Sequence, residues 1–173
     1  DPLERDNFRG ITIQNVLCKI YDSIIMSRSS DTIKKKMDIC DTQFACSRGL
    51  SSANASVTLQ ESIAHHVSQG TMVYASFFDT RKAFDTVWID GLFYMLYRKG
   101  IQGKLWRLLR KAYLNSVTAV LLSSHGNLSG WFRLFQGVKQ GAIASMLLYI
   151  CFINLLLQDI LSSDLGCHVL DCN

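Results

Sequence analysis

The stretch AIASMLLYICFINLLL, residues 142–157, constrains this chain most. It is almost wholly apolar, so it must be surrounded either by lipid or by protein. A membrane span needs roughly 20 apolar residues, and this run is shorter and carries Ser145 and Asn154. The spacing therefore predicts a buried helix over about 142–161, with no membrane partner, and the rest of the chain must cover it. With 173 residues, 49% apolar and 18% charged, there is enough chain for one domain or two interleaved subdomains with a real core.

Apolar positions Val16, Leu17, Ile20, Tyr21, Ile24 and Ile25 repeat at helical spacing and predict a helix over about 12–26. SRSSDTIKKKMDICD then reads as a polar connector. Ser51 or Ser52 can cap a second helix carrying Ala55, Leu59, Ile63 and Val67 and ending at Gly70. TMVYASFF, 71–78, is short, β-branched and aromatic, and reads as a buried strand. Further helices are expected over about 89–98, closed by Gly100, and about 103–115. VTAVLLSSHGNLSGWFRLF reads as a hairpin turning at SHGNLSG, and CHVLDC could start another strand. Helices and strands alternate irregularly, which suits an α+β fold.

The net charge of +4 is compatible with a nucleic-acid partner without demonstrating one. The six cysteines contain no C-x-x-C pair, which argues against zinc, and no secretory signal argues for disulfides. Cys151 reads as core, and Trp88 and Trp106 as packing residues.

The chemistry-bearing stretch is SFFDTRKAFDTV, 76–87. An apolar strand ending on Asp79 would place a carboxylate where it can ligate a divalent cation through oxygen; the alternative is an ordinary surface turn. Asp85 reads as a cap for the following helix. Arg81 and Lys82 face either a polyanion or solvent.

Four segments in order, NFRGITI (7–13), QFACSRGLSSANA (43–55), SFFDTRKAFDTV (76–87) and FQGVKQGAIAS (135–145), resemble successive blocks of the reverse transcriptase domain of non-LTR (LINE-type) retrotransposons. The resemblance covers nearly the whole chain. It implies a partial right-hand polymerase, with fingers over about 1–50 and 87–136 and palm over about 51–86 and 137–173, helices packing on a small, mostly antiparallel sheet. The implied activity is RNA-directed DNA synthesis with two Mg2+ ions on an RNA template and DNA primer, using dNTPs. The family's habit implies an intracellular, nuclear location.

By position, Asp79 resembles the first metal-binding acid, and Thr80 would lend a backbone carbonyl to the same ion. Phe84 matches the aromatic that stacks under the incoming sugar and excludes a 2′-hydroxyl; it could also be core. Gln140 and Gly141 match the loop along the nascent base pair, or form a helix N-terminal turn. Arg9 falls where a base meets template backbone or triphosphate, or is a solvated charge. Arg81, Lys82 and Arg48 are the nucleic-acid candidates.

The match has departures. Cys46–Ser47 stand where the family has phenylalanine–arginine, and Ala142 and Ser145–Met146 stand where it has serine and a Ser-Pro pair. The aromatic-x-Asp-Asp core that supplies the remaining acids does not occur, and the chain stops about where that block should begin. The expectation is a fragment inactive on its own, with an exposed apolar edge at 71–78. The competing expectation is a non-catalytic nucleic-acid-binding remnant of a decayed or domesticated element.

Overall fold

The computed structural model of the chain describes residues 10–45, 47, 49–121, 126–163 and 165–166. Five helices and a two-stranded antiparallel sheet follow in the order α1 Val16–Met37, α2 Ser52–Ser68, α3 Ile89–Arg98, α4 Gly103–Leu114, β1 Val117–Thr118, β2 Phe132–Arg133 and α5 Ile143–Ser162. This is a helix-rich α+β arrangement.

The apolar run forms α5, which packs against α1 and α3, while α4 packs on α3. Its buried face carries Ala144, Leu147, Leu148, Ile150, Cys151 and Asn154. The helix is long and apolar enough to cross a membrane by length and composition, but here its inner face is the protein core. Burial pushes the Cys151 thiol up to about 12, because a thiolate there would be desolvated.

α1 runs well past the expected end. The SRSSDTIKKKM stretch is helical rather than a connector, because Ile33 and Met37 are fully buried in the core and Ser29 donates to the Ile25 carbonyl. The lysines Lys34, Lys35 and Lys36 occupy the last turn, where a cation is favoured by the helix dipole. Asp38, in the left-handed region at φ 51°, ends the helix. The apolar repeat that predicts the helix lies largely outside: Val16, Leu17, Ile20, Tyr21 and Ile24 are exposed, whereas Ile25 joins Met26, Ile33 and Met37 in the core.

Asn154 explains how that contact is fixed. Fully buried on α5, it donates from Nδ2 to the carbonyls of Met37 (3.1 Å) and Asp38 (3.1 Å). Its Oδ1 accepts from the Cys40 amide (2.9 Å) and from Gln43 Nε2 (2.7 Å). One amide thus satisfies the orphan carbonyls at the end of α1 and tethers the chain that leaves it.

The remaining helices fall where the periodicity puts them. Ser51 caps α2, accepting the Asn54 amide, and Gly70 follows its end at φ +75°. No residue of α2 is fully buried: Ala55 and Ile63 of its apolar stripe are half-buried, and Leu59 and Val67 are exposed. α3 and α4 clasp an aromatic cluster in which Trp106 donates to the Phe93 carbonyl (2.7 Å) and meets Tyr97 edge-on. Trp88, expected in packing, is instead mostly exposed, its ring lying over Gly91 where a Cβ would come within 2.2 Å. The hairpin forms, with Val117 opposite Arg133 and Thr118 opposite Phe132, but a further bridge between Leu121 and Leu128 puts Leu128, expected in the turn, in the second arm.

The expected buried strand at 71–78 does not form. The segment carries no strand pairing, and Phe78 is 96% exposed. A strand is stabilised by a neighbour's ladder and by burial of at least one face, and no described residue pairs with it. The CHVLDC segment lies outside the described residues.

Candidate functional site

The site is organised by the loop 136–141 rather than by a sheet edge. On one side, the Gly137 amide donates to the Val87 carbonyl (2.9 Å) and the Val138 amide to the Phe84 carbonyl (2.8 Å). Gln136 Nε2 adds a bond to the Thr86 carbonyl (3.1 Å). On the other side, the Thr12 amide donates to the Gln140 carbonyl (2.8 Å), and Gly141 approaches Thr12 closely. The first, third and fourth of the sequence blocks are therefore joined by main-chain hydrogen bonds through one short loop.

The 81–86 stretch is a tight turn. Lys82 takes a left-handed conformation at φ 52°, and its carbonyl accepts from the amides of Asp85 (2.9 Å) and Thr86 (3.0 Å). The turn delivers Val87 into the core, fully buried, and sets Phe84 half-buried against Tyr149 of α5. Asp79, Thr80, Arg81 and Lys82 are exposed at its entrance. Asp85 is also exposed and does not cap α3, whose N-cap is Trp88. Arg9, Arg48 and Cys46 lie outside the described residues.

Lys139, which the sequence reasoning did not single out, anchors the middle of the loop. Its ammonium donates to the Ala112 carbonyl (3.3 Å) and to Ser116 Oγ, and sits 5.4 Å from the centre of the Tyr113 ring. Burial lowers its pKa, opposed by the nearby Asp22 carboxylate and the Cys18 thiol. Tyr113 in turn shares a buried hydrogen bond with Ser145 (2.9 Å), and burial pushes its phenol up to about 12. A cavity of about 300 Å3 opens beside this cluster, lined by Gln14, Cys18, Asp22 and Lys139 among others. The sequence signal was a lysine enclosed between two glycines in GVKQG: a turn pressed against neighbouring backbone leaves its one long side chain to tie it down.

Phe84, Gln140 and Gly141 are thus brought to one loop, with Asp79 and Thr80 on the segment that enters it. Among the described residues, no group of three or more His, Cys, Asp or Glu side chains could hold a metal ion. Asp79 supplies one carboxylate, whereas two cations would need several.

The reverse transcriptase (RNA-dependent DNA polymerase) family matches residues 2–170. The chain belongs to the reverse transcriptase family. A probable RNA-directed DNA polymerase from transposon BS of Drosophila melanogaster is 26% identical to it over 147 residues, 85% of this chain and 16% of that protein. The chain therefore spans a small part of the relative's length. No solved structure matches. The order of blocks along this chain is what the loop 136–141 turns into spatial proximity, since it contacts the first block at Thr12 and the third at Phe84–Val87. Reverse transcriptases generally use divalent metal ions, and the described residues of this chain do not assemble a site for them unaided.

Proposed function

We propose that this chain is the fingers-and-palm portion of an RNA-directed DNA polymerase of a non-LTR retrotransposon, with fingers over about 1–50 and 87–136 and palm over about 51–86 and 137–173. The observation that carries the reading is the bracket formed by loop 136–141, which holds Phe84 on one side and Thr12 on the other. Family membership over residues 2–170 supports the same reading.

In it, Phe84 lies under the sugar of an incoming dNTP, and Gln140 and Gly141 run along the nascent base pair. Nucleotide addition builds negative charge on the attacking and leaving oxygens. The exposed Arg81 and Lys82 face that polyanion or the template backbone, with Arg9 and Arg48 as further basic contacts. Asp79 and the Thr80 carbonyl contribute one part of a magnesium site; its other ligands come from outside the described residues. RNA template and DNA primer are the partners, and the nucleus is the expected place of work.

The reading is tested with the chain in its natural open reading frame, in a magnesium-dependent primer-extension assay on an RNA template. Extension that is lost in Asp79→Ala supports it. Salt-sensitive binding to an RNA–DNA duplex without any extension would favour a non-catalytic binding remnant instead.

A further inference from the structure

Phe84 is held from two directions, and neither support belongs to the block in which it lies. Its ring stacks on Tyr149, with centroids 5.0 Å apart and planes 21° from parallel. Tyr149 is half-buried on α5 between Leu148 and Ile150, which are core residues, so the ring beneath Phe84 is fixed by a helix anchored in the core. The backbone of Phe84 is fixed separately by the Val138 amide, with the Gly137 amide bonding Val87 beyond it.

Gly137 allows that approach. At φ +87°, a Cβ there would lie 2.9 Å from the Asp85 carbonyl oxygen, 3.0 Å from the Asp85 Cα and 3.1 Å from the Phe84 carbonyl oxygen. All three atoms are main chain, so no rotamer change relieves the contact, and the 84–85 backbone would have to move away from the loop. Gly70 provides the comparison: its φ is +75° with nothing within 4 Å, so a side chain there meets strain but no neighbour.

We infer that Tyr149 and Gly137 are positioning residues for Phe84, setting the height and tilt of its ring and thereby the discrimination between deoxyribonucleotides and ribonucleotides. The inference rests on the polymerase reading and on the sugar-facing role given there to Phe84. Excluding a single hydroxyl by steric contact depends on sub-ångström placement of the excluding ring. A ring displaced by up to about 1 Å would relieve that contact while leaving the rest of the site in place.

The experiment measures single-nucleotide insertion by the full-length protein, taking the ratio of kcat/KM for a dNTP to that for the matching rNTP. Tyr149→Leu and Gly137→Ala are expected to lower the ratio by about ten- to a hundredfold, the scale of a catalytic group misplaced by up to 1 Å. Tyr149→Phe keeps the stacking ring and is expected to keep the parental ratio, as is Gly70→Ala. If Tyr149→Leu and Gly137→Ala slow both nucleotides equally, their role is structural only and the inference falls. If Gly137→Ala does not fold, the Tyr149→Leu and Tyr149→Phe pair decides alone. Phe84→Ala separates the two levels. An unchanged ratio there overturns the role given to Phe84, whereas a lowered ratio with the Tyr149 and Gly137 variants unaffected overturns only this inference. Absence of extension by the unaltered protein overturns both.

Discussion

Replacing Asn154 with leucine keeps the branching of the side chain but removes its amide from the centre of the fold, so its cost is set chiefly by the lost hydrogen bonds. Four are lost: those to the Met37 and Asp38 carbonyls and those from the Cys40 amide and Gln43 Nε2. Asp38 keeps a bond from Gln158 Nε2 (2.9 Å), which leaves three orphaned partners, of which Gln43 is itself buried. At about 1 kcal/mol for each orphaned partner, less about 1 kcal/mol returned by the leucine, the variant should be destabilised by about 2 kcal/mol. For a chain of this size that is a fall in Tm of about 4–8 °C. The assay is far-UV circular dichroism against temperature and urea. Gln158→Leu, at a half-buried position bonded to the Asp38 carbonyl and Lys99, is the control and should cost about 1 kcal/mol or less. An Asn154→Leu protein that melts with the parent, or above it, would refute the reasoning that this amide ties the end of α1 and the 38–43 segment to α5.

Ile33→Ala should cost about 2–5 kcal/mol in urea unfolding because the side chain is fully buried, while Ile24→Ala, on the exposed stripe, should cost well under half as much. Equal costs would argue that α1 ends where its first apolar repeat does. The Tyr113 phenol, raised from 10.0 to about 12, contributes stability that is complete below pH 10 and is lost as pH rises through about 12. Two units are worth about 2–3 kcal/mol. Because the lowered pKa of Lys139 gives the opposite slope, the comparison is between the parent and Tyr113→Phe. The phenylalanine variant should lose the alkaline decline, and identical profiles would contradict the burial. In a mass-mapped alkylation time course, Cys18 should react in the folded protein and Cys151 only on unfolding; early labelling of Cys151 would contradict the α5 core.

What could be read from the sequence depended on whether a local pattern was also the pattern of burial. α3 and α4 carry strong apolar periodicity that the core uses directly, and α5 is apolar almost throughout, so their bounds are close to those expected. α1 misled because its clearest repeat faces outward, while the serine- and lysine-rich half, read as a connector, holds Ile33 and Met37 in the core. The 71–78 segment has the composition of a strand, but composition supplies no partner, and without one its aromatic side chains stay exposed. In the site, Phe84, Gln140 and Gly141 could be found by motif because they lie in contiguous blocks. Tyr149 and Asn154 could not, since what makes each of them matter is a contact with a distant part of the chain, Tyr149 with Phe84 and Asn154 with the end of α1; Lys139 lies in the fourth block between two glycines, but its partner at the end of α4 shows only in the fold. Gly137 lies in a motif, yet only the approach of the Asp85 backbone explains why it is glycine.

The most direct test concerns the exposed acid at the entrance to the 81–86 turn. In magnesium-dependent primer extension by the full-length protein, Asp79→Asn keeps the size of the side chain and removes its charge. The account predicts that extension falls by at least about a thousandfold, the scale expected when charge stabilisation of a transferring phosphoryl group is lost, while the Tm stays within about 2 °C of the parent, as for an exposed substitution. Extension at the parental rate by Asp79→Asn would contradict it.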